Sequence, residues 1–150
     1  MTDTVAVYFI NEGYLLPAMV SAIQARSHTP RELLDVMIVC AGNPTDNGRK
    51  AVAFAAKKGV EIVYVPVGVL ENKSATYGRL IVHKVLPETY QRIIYIDGDT
   101  QVMGSLEPLV TAPLAPGKFM AARDPAQLFS QLSPKWHSTI EANYRKGGYS

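Results

Sequence analysis

Short uninterrupted apolar runs alternate along this chain with longer stretches whose apolar residues return every three or four positions. Val5–Ile10, Val36–Cys40, Glu61–Val65 and Arg92–Ile96 are the apolar runs, each four to six residues long and rich in β-branched side chains. Runs of that length and composition predict buried strands. Each is closed by residues that stop a strand: Asn11-Glu12-Gly13, Gly42-Asn43-Pro44, Pro66 and Asp97-Gly98-Asp99. Between them, Leu15, Met19, Ala22 and Ile23 predict a helix over Leu15–Ala25, with Pro17 harmless in its first turn. A second helix is expected from Asp46, read as its cap, to about Lys58, with Gly59 as its stop. A third runs from Ser74 or Thr76 through Leu86 to the barrier of Pro87. After a short turn around Leu106–Leu109, a strand is expected at Lys118–Ala122, then helix and loop beyond Asp124.

Strands alternating with helices of about a dozen residues predict βαβ units and a largely parallel α/β sheet. In such sheets ligands bind beyond the carboxyl ends of the strands. The strand-stopping loops above would therefore share one edge, and most of the polar chemistry with them. A chain of 150 residues suits one domain with a real core, and no internal repeat or interdomain linker interrupts it.

Composition adds mainly exclusions. The net charge is +2 and its charges are scattered, which excludes the concentrated basic footprint of a nucleic-acid binder. The slight positive balance is compatible with anionic substrates or peripheral contact with the inner face of a membrane. Cys40 is the single cysteine, so no intramolecular disulfide forms, and its apolar surroundings mark it as a small buried hydrophobe. No stretch approaches the roughly 20 apolar residues of a membrane span, and Met1-Thr2-Asp3-Thr4 does not resemble a signal peptide. The expected location is cytoplasmic.

The segment richest in chemistry is Ile93-Ile94-Tyr95-Ile96-Asp97-Gly98-Asp99. On extended backbone, residues two apart face the same side, so both carboxylates would meet one ligand. Paired carboxylate oxygens suit Mn²⁺ or Mg²⁺, which neutralise charge on a departing diphosphate. Gly98 would let the backbone approach a bulky ligand. An Asp-x-Asp alone is weak, arising by chance in roughly one such sequence in four. Its place after an apolar strand at the ligand-binding edge strengthens it. A haloacid-dehalogenase-like phosphatase also sets Asp-x-Asp after such a strand. That pattern continues as Asp-x-Asp-x-Thr or Val, whereas Gln101 stands here.

The wider pattern resembles glycosyltransferase family 8, the retaining, nucleotide-sugar-dependent transferases of GT-A fold. The similar residues are Val7–Tyr14 in the opening strand and loop, Thr76-Tyr77-Gly78-Arg79-Leu80, and Leu86-Pro87-Glu88-Thr89-Tyr90-Gln91-Arg92 running into Ile93–Asp99. Leu106–Leu109 fits what usually follows. The resemblance implies a Rossmann-like three-layer αβα GT-A domain that moves a hexose from a UDP-sugar to a glycan, lipid-linked or small-molecule acceptor. It implies that Asp97 and Asp99 hold Mn²⁺ (or Mg²⁺) and that Asp97 and Gly98 also meet the nucleotide. Asn11, Glu12, Gly13 and Tyr14 contact the uridine, Arg79 lies near the diphosphate and sugar, and Asp124 approaches the transferred sugar.

Two departures are visible. Asn11 and Gly13 replace an aspartate and a polar residue usual in the family, although the Asn11 amide oxygen can still accept a bond from uracil. The family's later Asn-x-Gly strand, second acidic pair and His-x-x-Gly-x-x-Lys-Pro segment have no counterpart, and His28, His83 and His137 lie outside that pattern. The chain is thus expected to be the N-terminal part of a GT-A domain. It would then be weakly active alone and prone to self-association through an exposed apolar face. A UDP-sugar-binding module without catalysis is the alternative.

Overall fold

The computed structural model describes residues 2–71 and 73–122. The chain divides into two compact units, Met1–Ala112 and Pro113–Ser150. In the first, the described residues build one parallel sheet of four strands: β1 (Thr4–Asn11), β2 (Asp35–Ala41), β3 (Glu61–Val65) and β4 (Arg92–Tyr95). Their spatial order is β3-β2-β1-β4, with Tyr8 opposite Ile38 and Val7 opposite Tyr95. The four strands expected between Val5 and Ile96 are present, each within a residue or so of its expected ends.

Period-two alternation sorts β1 onto two buried faces. Ala6, Tyr8 and Ile10 join Val36, Ile38 and Cys40 against α1 (Leu15–His28) and α2 (Asp46–Lys57). Val5, Val7 and Phe9 join Met37, Val39 and Val65 against Leu70, Val82 and Leu86. A strand buried on both sides carries no polar alternation, which is why β1 reads as a continuous apolar run. The result is the three-layer αβα arrangement expected from the sequence.

One polar pair sits inside the α1 layer. The Tyr8 hydroxyl and Ser21 Oγ are 3.0 Å apart and fully buried, and burial pushes the Tyr8 pKa up to about 12. Removing one partner strands the other, at about 1–3 kcal/mol, whereas removing both is close to neutral. Tyr8→Phe is therefore expected to destabilise more than Tyr8→Phe with Ser21→Ala, a difference measurable by urea denaturation.

The helices differ from expectation in three places. α1 continues to His28 because Arg26 reaches past its end to the carbonyls of Thr29 and Leu34, the latter at 2.7 Å. The cap of α2 is Thr45, whose Oγ1 accepts the Gly48 N–H at 3.1 Å, so Asp46 is its first residue. The single helix expected from Ser74 or Thr76 to Leu86 is three short pieces: a 3₁₀ turn at Ala75–Tyr77, α3 (Gly78–Ile81) and a 3₁₀ turn at Val82–Lys84. Ile81, at φ −118° and ψ −4°, is displaced from ideal helix values at the junction of two of these pieces.

The last element of the first unit is α4 (Glu107–Thr111). In the second unit, Lys118–Ala122 does not form the expected strand. Phe119 and Met120 are exposed, and a strand needs a partner's ladder, which this segment lacks among the described residues.

Candidate functional site

Strand order places the site. From β1 the chain steps to β2 and β3, then returns across β1 to lay β4 on its other side. The crossovers on either side of β1 run in opposite directions, so a crevice opens beyond the carboxyl ends of β1 and β4. A cleft of about 450 Å³ lies there. Asn11 and Tyr14 enter it from the end of β1, Thr76 and Arg79 from the broken helical segment, and Asp97, Gly98 and Asp99 from the end of β4.

The carboxylates come together by a different route from the expected one. β4 ends at Tyr95, Ile96 donates its N–H to Val7 at 3.0 Å, and the chain then turns. Thr100 N–H bonds the Asp97 carbonyl at 3.1 Å, so Asp97–Thr100 is a β-turn and not extended strand. Both aspartates line the cleft all the same. Gly98 is needed for a reason the sequence did not show: a Cβ there would stand 2.8 Å from Ile10 Cγ2. The glycine lets the turn close onto β1.

Arg79 is held in place by three contacts. Its Nη2 donates to Asp97 Oδ1 at 3.0 Å, its Nε donates to the Thr76 carbonyl at 3.2 Å, and its guanidinium lies 5.5 Å from the Tyr95 ring centre. The pair with Asp97 is about half exposed, so it orients more than it stabilises. Burial, and next the charge of Asp97, raise the Tyr95 pKa, keeping that ring a neutral platform for the guanidinium. Asn11 Oδ1 already accepts the Gly13 N–H at 3.1 Å, leaving one lone pair for a ligand donor.

Glu12 and Gly13 do not line this cleft. The Glu12 side chain turns the other way, toward the start of α2. Asp124 lies outside the described residues, as does His137, while His28 and His83 are exposed. Among the described residues no third His, Cys, Asp or Glu joins Asp97 and Asp99 in a cluster able to hold a metal. The donors present still fit a hard divalent cation in part: two carboxylates of the required chemistry, with oxygen ligands to be completed by diphosphate and water. No helix among the described residues is long and apolar enough to cross a membrane.

The geometry is that of a GT-A glycosyltransferase fold, and solved structures share it. The apo-form glycosyltransferase GlyE of Streptococcus pneumoniae TIGR4 superposes with a TM-score of 0.60 at 16% identity, covering 83% of this chain and 30% of its own. The galactosyltransferase LgtC in complex with donor and acceptor sugar analogs gives 0.58 at 19%, over 75% of this chain and 43% of its own. The bifunctional glycosyltransferase WbbM gives 0.56 at 21%, over 75% and 21%. This chain thus spans less than half the length of each of these structures. No curated protein matches it. Glycosyl transferase family 8 matches residues 5–148, and the chain belongs to that family.

Proposed function

We propose that this chain is the nucleotide-sugar-binding part of a metal-dependent glycosyltransferase that moves a hexose from a UDP-sugar to a hydroxyl acceptor with retention. The observation that carries the reading is the convergence of Asn11, Tyr14, Arg79, Asp97 and Asp99 on one cleft at the point where the strand order reverses. Asn11 offers an acceptor to the base and Tyr14 an aromatic face. Arg79 presents a fixed cation to the diphosphate or sugar hydroxyls. Asp97 and Asp99 hold Mn²⁺ or Mg²⁺, which supplies charge neutralisation at the leaving diphosphate. Family membership goes against the phosphatase alternative.

Binding without catalysis is the second reading, favoured by the two-carboxylate donor set. Calorimetry of the 150-residue chain with UDP, in Mn²⁺ and in chelator, tests the binding step common to both. Mn²⁺ is expected to tighten UDP binding, and equal affinity in the two conditions would overturn the metal assignment. Release of free sugar from a UDP-hexose would separate the catalytic reading from the binding one.

A further inference from the structure

Glu12 sits between two cleft residues, Asn11 and Tyr14, yet its carboxylate faces away from the cleft. A single oxygen, Oε1, accepts the Thr45 N–H at 3.0 Å, the Thr45 hydroxyl at 2.7 Å and the Tyr64 hydroxyl at 3.3 Å. Thr45 caps α2 and Tyr64 belongs to β3, so one carboxylate ties the β1–α1 turn to two other elements. The fit is tight: a Cβ on Gly48 would overlap both Glu12 Oε1 and the Tyr64 hydroxyl. The Asn11–Gly13 bond and the 3₁₀ turn at Glu12–Tyr14 then transmit that anchorage to the cleft side of the loop.

We propose that Glu12 is a positioning residue for the proposed nucleotide site, fixing Asn11 and Tyr14 from behind through Thr45 and Tyr64 without itself touching the ligand. The inference rests on the nucleotide reading of the cleft for its consequence, and on the hydrogen-bond geometry alone for its mechanism. Three donors from two distant elements on one oxygen add tethers that the turn's own local bond does not supply. With the anchor gone, the turn samples other conformations, and apparent affinity falls by the fraction that remains competent. Thr45 and Gly48 line, together with Glu12 and Gly13, a second cleft of about 510 Å³ on the α1–α2 side, and none of these four lines the cleft of Asp97 and Asp99, so an effect of substituting Thr45 or Gly48 on nucleotide binding there must travel through the turn.

Two readouts on the full 150-residue chain test this: UDP affinity with Mn²⁺, and amide hydrogen exchange at Gly13 and Tyr14 without ligand. Glu12→Ala and Thr45→Val are expected to weaken UDP binding about tenfold and to speed exchange at both amides. Gly48→Ala, which displaces the carboxylate, should act in the same direction. Glu12→Gln and Thr45→Ser keep the acceptor and the hydroxyl, so they should stay within about threefold of the parent chain. If Glu12 instead met the ligand directly, Glu12→Ala and Glu12→Gln would both lose affinity while Thr45→Val and Gly48→Ala bound normally. That pattern overturns the proposal, as does unchanged exchange in Glu12→Ala. Should the parent chain bind no UDP, the nucleotide reading fails, and the exchange measurement still decides whether Glu12 holds the turn.

Discussion

Asp99→Asn is expected to remove most of the Mn²⁺-dependent gain in UDP affinity while leaving thermal stability unchanged. Asparagine keeps the size of the side chain and loses its charge. The turn is held by the Thr100–Asp97 backbone bond and by the approach of Gly98 to Ile10, neither of which involves the Asp99 carboxylate. Loss of an outer-shell partner commonly weakens metal binding about 10–100-fold, so loss of a direct ligand should cost at least that much. Asp97→Ala should also lose the metal effect, but with a second consequence, because Asp97 is the partner of Arg79. Releasing that guanidinium should weaken UDP binding even in chelator, which Asp99→Asn should not do. Calorimetry of both variants, with and without Mn²⁺, separates the two roles. Normal Mn²⁺ dependence in Asp99→Asn would place the cation elsewhere.

The second large effect is expected at Gly78. A Cβ there would stand 2.0 Å from a ring carbon of Phe9, which is buried near the end of β1. Two effects of Gly78→Ala oppose each other. Alanine favours a helix over glycine by about 1 kcal/mol, whereas forcing extra volume into a packed core costs about 1–3 kcal/mol. The steric side should win, because Phe9 is almost fully buried, beside Val39 on the neighbouring strand and in one apolar cluster with Val7. Gly78→Val should be worse still. Gly104→Ala is the control: no atom lies within 4 Å of its would-be Cβ, so the change should be neutral or slightly stabilising. Urea midpoints give the ranking. Arg79 follows Gly78 directly, so UDP affinity should fall with Gly78→Ala and stay unchanged with Gly104→Ala.

Much of this is legible in the sequence. Val5–Ile10 and Val36–Cys40 are apolar at every position because both faces of a parallel sheet are covered, and a run of that kind has few other readings. The segment from Leu86 to Asp99 likewise marked the family and the carboxylate pair, since a strand followed by a polar stop must deliver that stop to the sheet's carboxyl edge. These are local properties: short windows of sequence, each with its own periodicity, sufficed to state them.

What stayed hidden depended on which distant segments meet. The order β3-β2-β1-β4 sets the crevice between the ends of β1 and β4, and no window of sequence contains both strands. Spacing alone placed Asp97 and Asp99 on one face by assuming extended chain, whereas packing of Gly98 against Ile10 bends that backbone into a turn. Glu12 lies inside a stretch whose neighbours line the cleft, and only the position of Thr45 and Tyr64, 33 and 52 residues further on, turns its carboxylate away. The broken helix after Ser74 follows from the same cause. Gly78 must yield space to Phe9, and Val82 and Leu86 must reach the core under β1, so tertiary contact overrides the period that a free helix would keep. Local patterning determined the elements and the donor chemistry. The long-range fit of side chains between elements decided where each donor points.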